Sequence, residues 1–258
     1  MALNLKQYAE RINYSGKLSV SDDCLRNLHR CHVTSVPFEA LDVQLKQKIK
    51  LDLTSLYNKV ILRHRGGFCY ELNYLFYSLL SEIGFDTTMV SSRIFNQDSY
   101  GPAFDHLSIV VKLEGYWLVD VGYGDLFIEP LRLHSTSVQD DRFKRYRLVQ
   151  LNDKEFLLLE SLKNKQDFVK RYMFDLVPRT IEDFFDQCEY KQSSPDSYFV
   201  QNTVCTMATA YGRKTIFNDS FKVKSNDEVV ETKIDTHANL LKILKEEFSI
   251  LIEDTAYR

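Results

Sequence analysis

A cysteine follows two glycines in the run Arg65-Gly66-Gly67-Phe68-Cys69-Tyr70-Glu71-Leu72-Asn73, at the point where an apolar helical pattern begins. Backbone amides in the first turn of a helix lack an intrahelical acceptor and carry partial positive charge. A thiolate placed there is stabilised, which makes the sulfur nucleophilic near neutral pH. The glycines let a reactant come close to the backbone. Such a nucleophile needs a base, and the base needs an orienting partner. Phe104-Asp105-His106-Leu107 puts a histidine at the head of one strand-like run, and Tyr116-Trp117-Leu118-Val119-Asp120 puts an aspartate at the foot of the next. An aspartate that accepts from one imidazole nitrogen leaves the other facing a thiol. Each residue alone has a plainer reading: Cys69 as a small buried apolar group, His106 as a half-buried strand residue, Asp120 as a turn former before Gly122. Cys, His and Asp at three element ends, in that order, read together as a triad of nucleophile, base and orienter.

The elements that must position this triad follow from periodicity. Ser21 is placed to cap a helix over Asp22 and Asp23, with Cys24, Leu28 and Cys31 on one face. Asp52 is placed to cap a second helix, with Leu53, Leu56, Tyr57, Val60 and Ile61 as its apolar positions. In the third, Leu72, Leu75, Phe76, Leu79, Leu80 and Ile83 follow helical spacing, and Gly84 supplies the stop. From about Thr87 the period becomes two. Runs 88–94, 106–113, 116–121, 146–151, 156–162 and 168–174 are strand-like, with turns at Glu114-Gly115 and Asn152-Asp153. His106 and Asp120 lie on consecutive antiparallel strands, and their spacing about the turn suggests a bend or bulge to bring them together. Many short strands point to an antiparallel sheet or small barrel. The last third carries strands at 203–209, 214–217, 221–224 and 229–232. A helix capped by Thr236 then turns Leu240, Leu241, Leu244 and Phe248 inward.

The 258-residue chain has 33 basic and 36 acidic side chains, a net charge of −3, so it offers no basic field for nucleic acid or an anionic membrane. Gln7, Glu10 and Arg11 interrupt any secretory pattern near the start, and no apolar run reaches membrane-spanning length. Five cysteines without framework spacing read as free thiols of a cytoplasmic protein. Cys24, His29, Cys31 and His32 lack the spacing of a zinc site, so no metal is expected. His64, His134 and His237 read as surface or capping residues. The basic group Arg142, Lys144, Arg145 and Arg147 reads as a solvated strand edge.

The segment from Arg65 to Asn73 resembles the nucleophile motif of the arylamine N-acetyltransferases of the bacterial type. It is complete at Arg65, Gly66, Gly67, Cys69, Glu71 and Asn73. The His106 strand and Val119-Asp120-Val121-Gly122-Tyr123-Gly124 are similar to the family's other two triad segments. Leu28-His29 through His32 to Val36-Pro37-Phe38-Glu39-Ala40-Leu41 is similar to an upstream stretch, with Ala40 replacing the usual asparagine. Pro178-Arg179, Asp183-Phe184, Ser194-Pro195 and Cys205-Thr206 through Gly212-Arg213 match in order downstream.

The resemblance implies an α+β protein carrying a cysteine-protease-like Cys-His-Asp triad. Its parts would be a helical bundle over 1–84 bearing the nucleophile, an antiparallel β-barrel over 85–190 bearing His and Asp, and an α/β lid over 191–258. It implies ping-pong transfer of acetyl from acetyl-CoA, a substrate and not a resident cofactor, to aromatic amines or hydrazines. Cys69 would be the nucleophile, His106 the base and Asp120 its orienter. Phe38 and Tyr123 would shape the pocket, Gly122 and Gly124 would lie beside coenzyme A, and Glu39 and Arg65 would form a structural ion pair. The same triad also serves a cysteine hydrolase or an amide synthase. A catalytically idle binding module is the remaining alternative, against which stands an intact triad.

Overall fold

The computed structural model describes residues 3–96, 98–163, 165–226 and 228–252. The outer ends of the two terminal spans expected from the sequence, residues 1–2 and 253–258, lie outside the described residues.

The N-terminal third is helical, and its starts are set by side chains that accept otherwise unpaired amides. Ser21 Oγ accepts from Cys24 N at the head of Asp22–Ser35, and Asp52 Oδ1 accepts from Ser55 N at the head of Leu53–Tyr57. That second helix is not uniform: it widens into a π-helical turn over Asn58–Leu62. The widening accompanies Lys59 turning inward, where its ammonium reaches Asp42 at 2.7 Å and Glu71 at 2.8 Å. The helix Cys69–Ile83 ends at Gly84, whose φ of 105° is the left-handed conformation that glycine adopts without a Cβ penalty.

Among the described residues, the middle of the chain forms a nine-stranded antiparallel sheet. Its path runs Leu131–Arg132, Tyr116–Val119, His106–Lys112, Asp86–Asn96, Val169–Asp175, Glu155–Leu162, Lys144–Gln150 and Gln139–Asp140, with Ser99–Tyr100 folded back onto Asp86–Asn96. The two ends of the path meet through one side chain. The Gln139 amide accepts from Arg132 N at 2.7 Å and donates to Arg132 O at 2.9 Å. This nearly closes the sheet into a barrel and covers edges that would otherwise be open.

Strand alternation then divides the packing. Leu107, Ile109 and Val111 belong to the core shared with the helices, whereas Val110 belongs to the barrel interior with Leu118, Phe156, Tyr172 and Phe174. A second sheet orders Phe38–Glu39, Val204–Thr209, Gly212–Phe217, Ser220–Ser225 and Glu228–Lys233. Its first strand comes from the helical third, stitching the two ends of the chain together. Thr236 caps the helix His237–Phe248, which covers this sheet. Leu240, Ile243, Leu244 and Phe248 pack into it, so Ile243 takes the inward place expected of Leu241. Among the described residues no helix is long and apolar enough to cross a membrane.

The expected Glu39–Arg65 pair is present, and it is one link of a buried chain. Arg65 Nε donates to Glu39 Oε1 at 2.9 Å and its Nη2 to Asp42 Oδ1 at 2.7 Å. Lys59 bridges Asp42 to Glu71, whose Oε2 accepts from Phe68 N at 3.0 Å directly before the cysteine helix. Glu39 is fully buried and also accepts from the Leu41 and Gly66 amides. Removing one partner of such a pair leaves an uncompensated charge in a place without water. Arg65→Ala is therefore expected to cost ~3–5 kcal/mol, read as a lowered midpoint in thermal or urea unfolding. An unchanged midpoint would mean the pair contributes nothing.

Candidate active site

Cys69 is the first residue of its helix and is 3% exposed. The first intrahelical bond runs from Leu72 N to Phe68 O, so the amides of the opening turn stay free of helical carbonyls. The sulfur faces the same cavity as the His106 ring and adds to the charges that act on it. On the other side of that ring, Nε2 lies 2.7 Å from Asp120 Oδ2. The triad expected from the sequence is thus assembled in space. No bulge between the two strands was needed. Their register pairs Ile109 with Val119 without a shift, so Asp120 falls opposite Ser108, and His106 is the diagonal neighbour on the same face. The register shift falls elsewhere, between Lys170 and Tyr172.

Asp120 is held by more than its histidine. Asn73 Nδ2 donates to Oδ1 at 2.9 Å, the Gly122 amide donates to Oδ1 at 3.0 Å, and the Tyr172 hydroxyl donates to Oδ2 at 3.1 Å. Burial works against the ionised carboxylate, but the His106 charge and these donors outweigh it and hold Asp120 below its ordinary range. Burial likewise disfavours the His106 cation. The Asp120 charge, its hydrogen bond and the Cys69 sulfur overcome this and raise the imidazole to about 10. The ring is therefore an imidazolium throughout neutral pH, paired on one side with a carboxylate and on the other with sulfur.

Three supports had no role assigned from the sequence. Asn73 sits one helical turn after Cys69, and besides reaching Asp120 it accepts from Val121 N at 2.9 Å. Its spacing of four from the nucleophile was the available signal. His29, on the helix Asp22–Ser35, lies under the backbone of the aspartate. Its Nε2 accepts from Asp120 N at 3.3 Å while Nδ1 donates to Ile128 O at 2.8 Å. Burial lowers it to about 4, so it stays neutral and clamps both ends of the loop after Asp120. Tyr172 gave no local signal, because only the barrel brings it near.

A cavity of about 600 Å³ opens onto Cys69 and His106, with Phe38, Gly122, Tyr123 and Gly124 among its walls. Phe38 and Tyr123, expected at the pocket, and Gly122 and Gly124, expected beside coenzyme A, all line this one cavity. A Cβ on Gly122 would lie 2.7 Å from Asn73 Nδ2 and 2.8 Å from Cys69 O, so this glycine lets the aspartate loop lie against the nucleophile helix. Tyr123 meets the His106 ring edge-on at 5.6 Å between centroids. The basic group is less solvated than expected: Lys144 is drawn to Asp125 and Glu160, while the Arg145 and Arg147 guanidiniums stack near Phe168. His64 and His134 are exposed. Cys24, Cys188 and Cys205 are buried, and Cys31 is half-buried.

A buried cysteine-histidine-aspartate triad beside a helical bundle and a nearly closed barrel defines a cysteine-dependent acyl-transfer enzyme. The sequence profile of the N-acetyltransferases matches residues 23–257. A pineal-gland arylamine N-acetyltransferase isozyme of Gallus gallus is 33% identical over 276 aligned residues, covering 97% of this chain and 95% of that one. The solved arylamine N-acetyltransferase of M. tuberculosis superposes with a TM-score of 0.91 at 28% identity, covering 98% of each chain. That of Mycobacterium marinum in complex with CoA gives 0.87 at 26% identity, over 96% of this chain and 93% of the other. The chain belongs to the arylamine N-acetyltransferase family.

Two outcomes follow. Asp120→Asn replaces an acceptor with an amide that favours the wrong imidazole tautomer and lacks the partner charge. Acetyl transfer should fall on the order of 10⁴-fold, and near-wild-type turnover would remove Asp120 from the chemistry. The second concerns pH. A folded-state value raised above the free imidazole contributes stability that is complete below about 6.5 and is lost as pH rises through about 10. The stability gap between the protein and His106→Gln, measured by urea unfolding, should shrink across that window. A gap independent of pH would contradict the pairing.

Proposed function

We propose that the protein transfers acetyl from acetyl-CoA through a Cys69 thioester to aromatic amines or hydrazines. The observation that carries this reading is the meeting of a nucleophile at a helix start, an imidazole and a buried carboxylate at the wall of one aromatic-lined cavity. In the first half-reaction the Cys69 sulfur attacks the acetyl carbonyl, and the free amides of the opening turn are suited to its oxyanion. The carbon–sulfur bond to coenzyme A breaks, and His106 gives its proton to the departing thiolate. Acylation also removes the sulfur's share in raising His106. The imidazole becomes less basic, and having given up its proton it can accept one from the incoming amine. An aromatic amine is largely neutral and attacks without prior deprotonation; the amide forms and the Cys69 thiolate leaves.

Phe38 and Tyr123 shape the acceptor end of the cavity in this reading, and Gly122 and Gly124 lie where coenzyme A passes. The Glu39–Arg65 pair acts structurally, keeping the start of the nucleophile helix in place. Division of the chain at 84 and 190 into bundle, barrel and lid belongs to the same proposal, as does a cytoplasmic location. The lid shares its sheet with Phe38–Glu39, so it would not be an independent unit.

Mixing the protein with acetyl-CoA and no acceptor should add one acetyl group, mapped to Cys69 by peptide mass. Acetyl on another cysteine, or none, would sink the reading. The isolated acetyl-enzyme should then lose its acetyl mass much faster to anilines or aryl hydrazines than to water or lysine. Flat rings are favoured by flat walls, and a protonated alkylamine meets a desolvation penalty in a dry site. Discharge by water as fast as by any aromatic amine would make the protein a thioesterase.

A further inference from the structure

The residue two before His106 has a backbone conformation that bulky side chains rarely take. Phe104 has a φ of 61°, in the left-handed region. Such a conformation persists only where its surroundings over-determine it. Here the anchors come from three separate parts of the chain. Phe104 N donates to Ser91 Oγ at 2.9 Å. The hydroxyl of Tyr70, the residue after the nucleophile, donates to Phe104 O at 2.8 Å and to Asp105 O at 3.1 Å. The Asp105 carboxylate is tied to Lys191 on the helix Phe185–Ser193, with Nζ 2.9 Å from Oδ1.

The lysine is itself enclosed. Its ammonium stands 5.7 Å from the Tyr70 ring centre and 5.6 Å from that of Phe199, and its side chain is 11% exposed. Asp105 and Lys191 line the same cavity as Cys69 and His106. A surface ion pair would contribute little, but this one is mostly withdrawn from water and adjoins the histidine. We propose that Asp105 and Lys191 are positioning residues, which with Tyr70 hold the left-handed turn at Phe104 and so aim the His106 ring at the Cys69 sulfur. The pair acts through the histidine and not on substrate. A tyrosine next to the nucleophile thereby sets the backbone next to the base, so helix and strand are brought into register at the site.

The proposal rests on Cys69 and His106 forming the working pair, and the first arm of its test needs neither acetyl-CoA nor an amine. The probe is iodoacetamide, with alkylation of Cys69 followed by peptide mass as a function of pH. Asp120, Tyr123 and Tyr172 also face His106 and stay unchanged throughout. Lys191→Met should move the acid limb of alkylation up by about one pH unit, because a misaimed imidazole stabilises the thiolate less. Losing the lysine charge pushes in the same direction. The double variant Asp105→Asn with Lys191→Met leaves the net charge of the pair at zero and so separates the two causes. It also avoids a buried unpaired aspartate if the single variant does not fold.

A shift that persists in the double variant supports positioning, as does a loss of about tenfold or more in the rate of Cys69 acetylation with the KM for the amine unchanged. Lys191→Arg, which can keep the ion pair, should restore most of the rate. A wild-type limb in the double variant overturns the proposal, even if its melting temperature has fallen. So does an effect confined to the KM of the amine.

Discussion

A carboxylate removed from water must find hydrogen-bond donors for both oxygens, because an ionised group left unpaired in a protein interior costs several kcal/mol. Asp120 meets that demand with four donors from four places: the His106 ring, the Asn73 amide, the Gly122 backbone and the Tyr172 hydroxyl. His29 adds a fifth contact, to the aspartate's own amide. The nucleophile helix, two barrel strands, the loop after Asp120 and an N-terminal helix therefore all converge on one side chain. Displacing any of them but the N-terminal helix, which holds the aspartate's backbone, would leave a buried charge short of a partner. The triad geometry follows from that constraint as much as from the three residues themselves.

The other end of the nucleophile helix start is fixed by charge. The chain Glu39–Arg65–Asp42–Lys59–Glu71 ends on the Phe68 amide, immediately before Cys69. Three carboxyl groups face two cations, and burial, with the neighbouring carboxylates adding to it, pushes Glu71 up to about 7 against the pull of Lys59. The arrangement gives up some electrostatic stability for a defined register, a trade that buried polar networks often make. In this protein the register decides where the sulfur stands relative to the imidazole.

Much of this was legible from the chain. Ser21, Asp52 and Thr236 cap the helices they were expected to cap, since a cap is a local bond between residues three apart. Period-two runs gave the strands, and Cys69, His106 and Asp120 stood out because each sits at an element end. What escaped were the contacts set by folding over distance. Tyr172 lies 52 residues from Asp120, and Asp42 and Lys59 join the ionic chain from unrelated motifs. Neither a bend nor a bulge is required between the His106 and Asp120 strands, because the pleat already places diagonal neighbours on one face. Leu241 was expected to face inward and Ile243 does so instead, a shift within one turn that helical spacing alone does not resolve.

The resting site pairs an imidazolium with the Asp120 carboxylate and the Cys69 sulfur, and acylation of the sulfur makes that ring less basic. Nitrogen chemical shifts of a histidine-labelled sample, with His106 assigned by its glutamine variant, read this directly. Both His106 nitrogens should be protonated from neutral pH up to about 10 in the free protein, and the ring should lose its proton at a lower pH once Cys69 carries acetyl. A neutral His106 at pH ~7 in the free protein, or a ring indifferent to acylation, would contradict it.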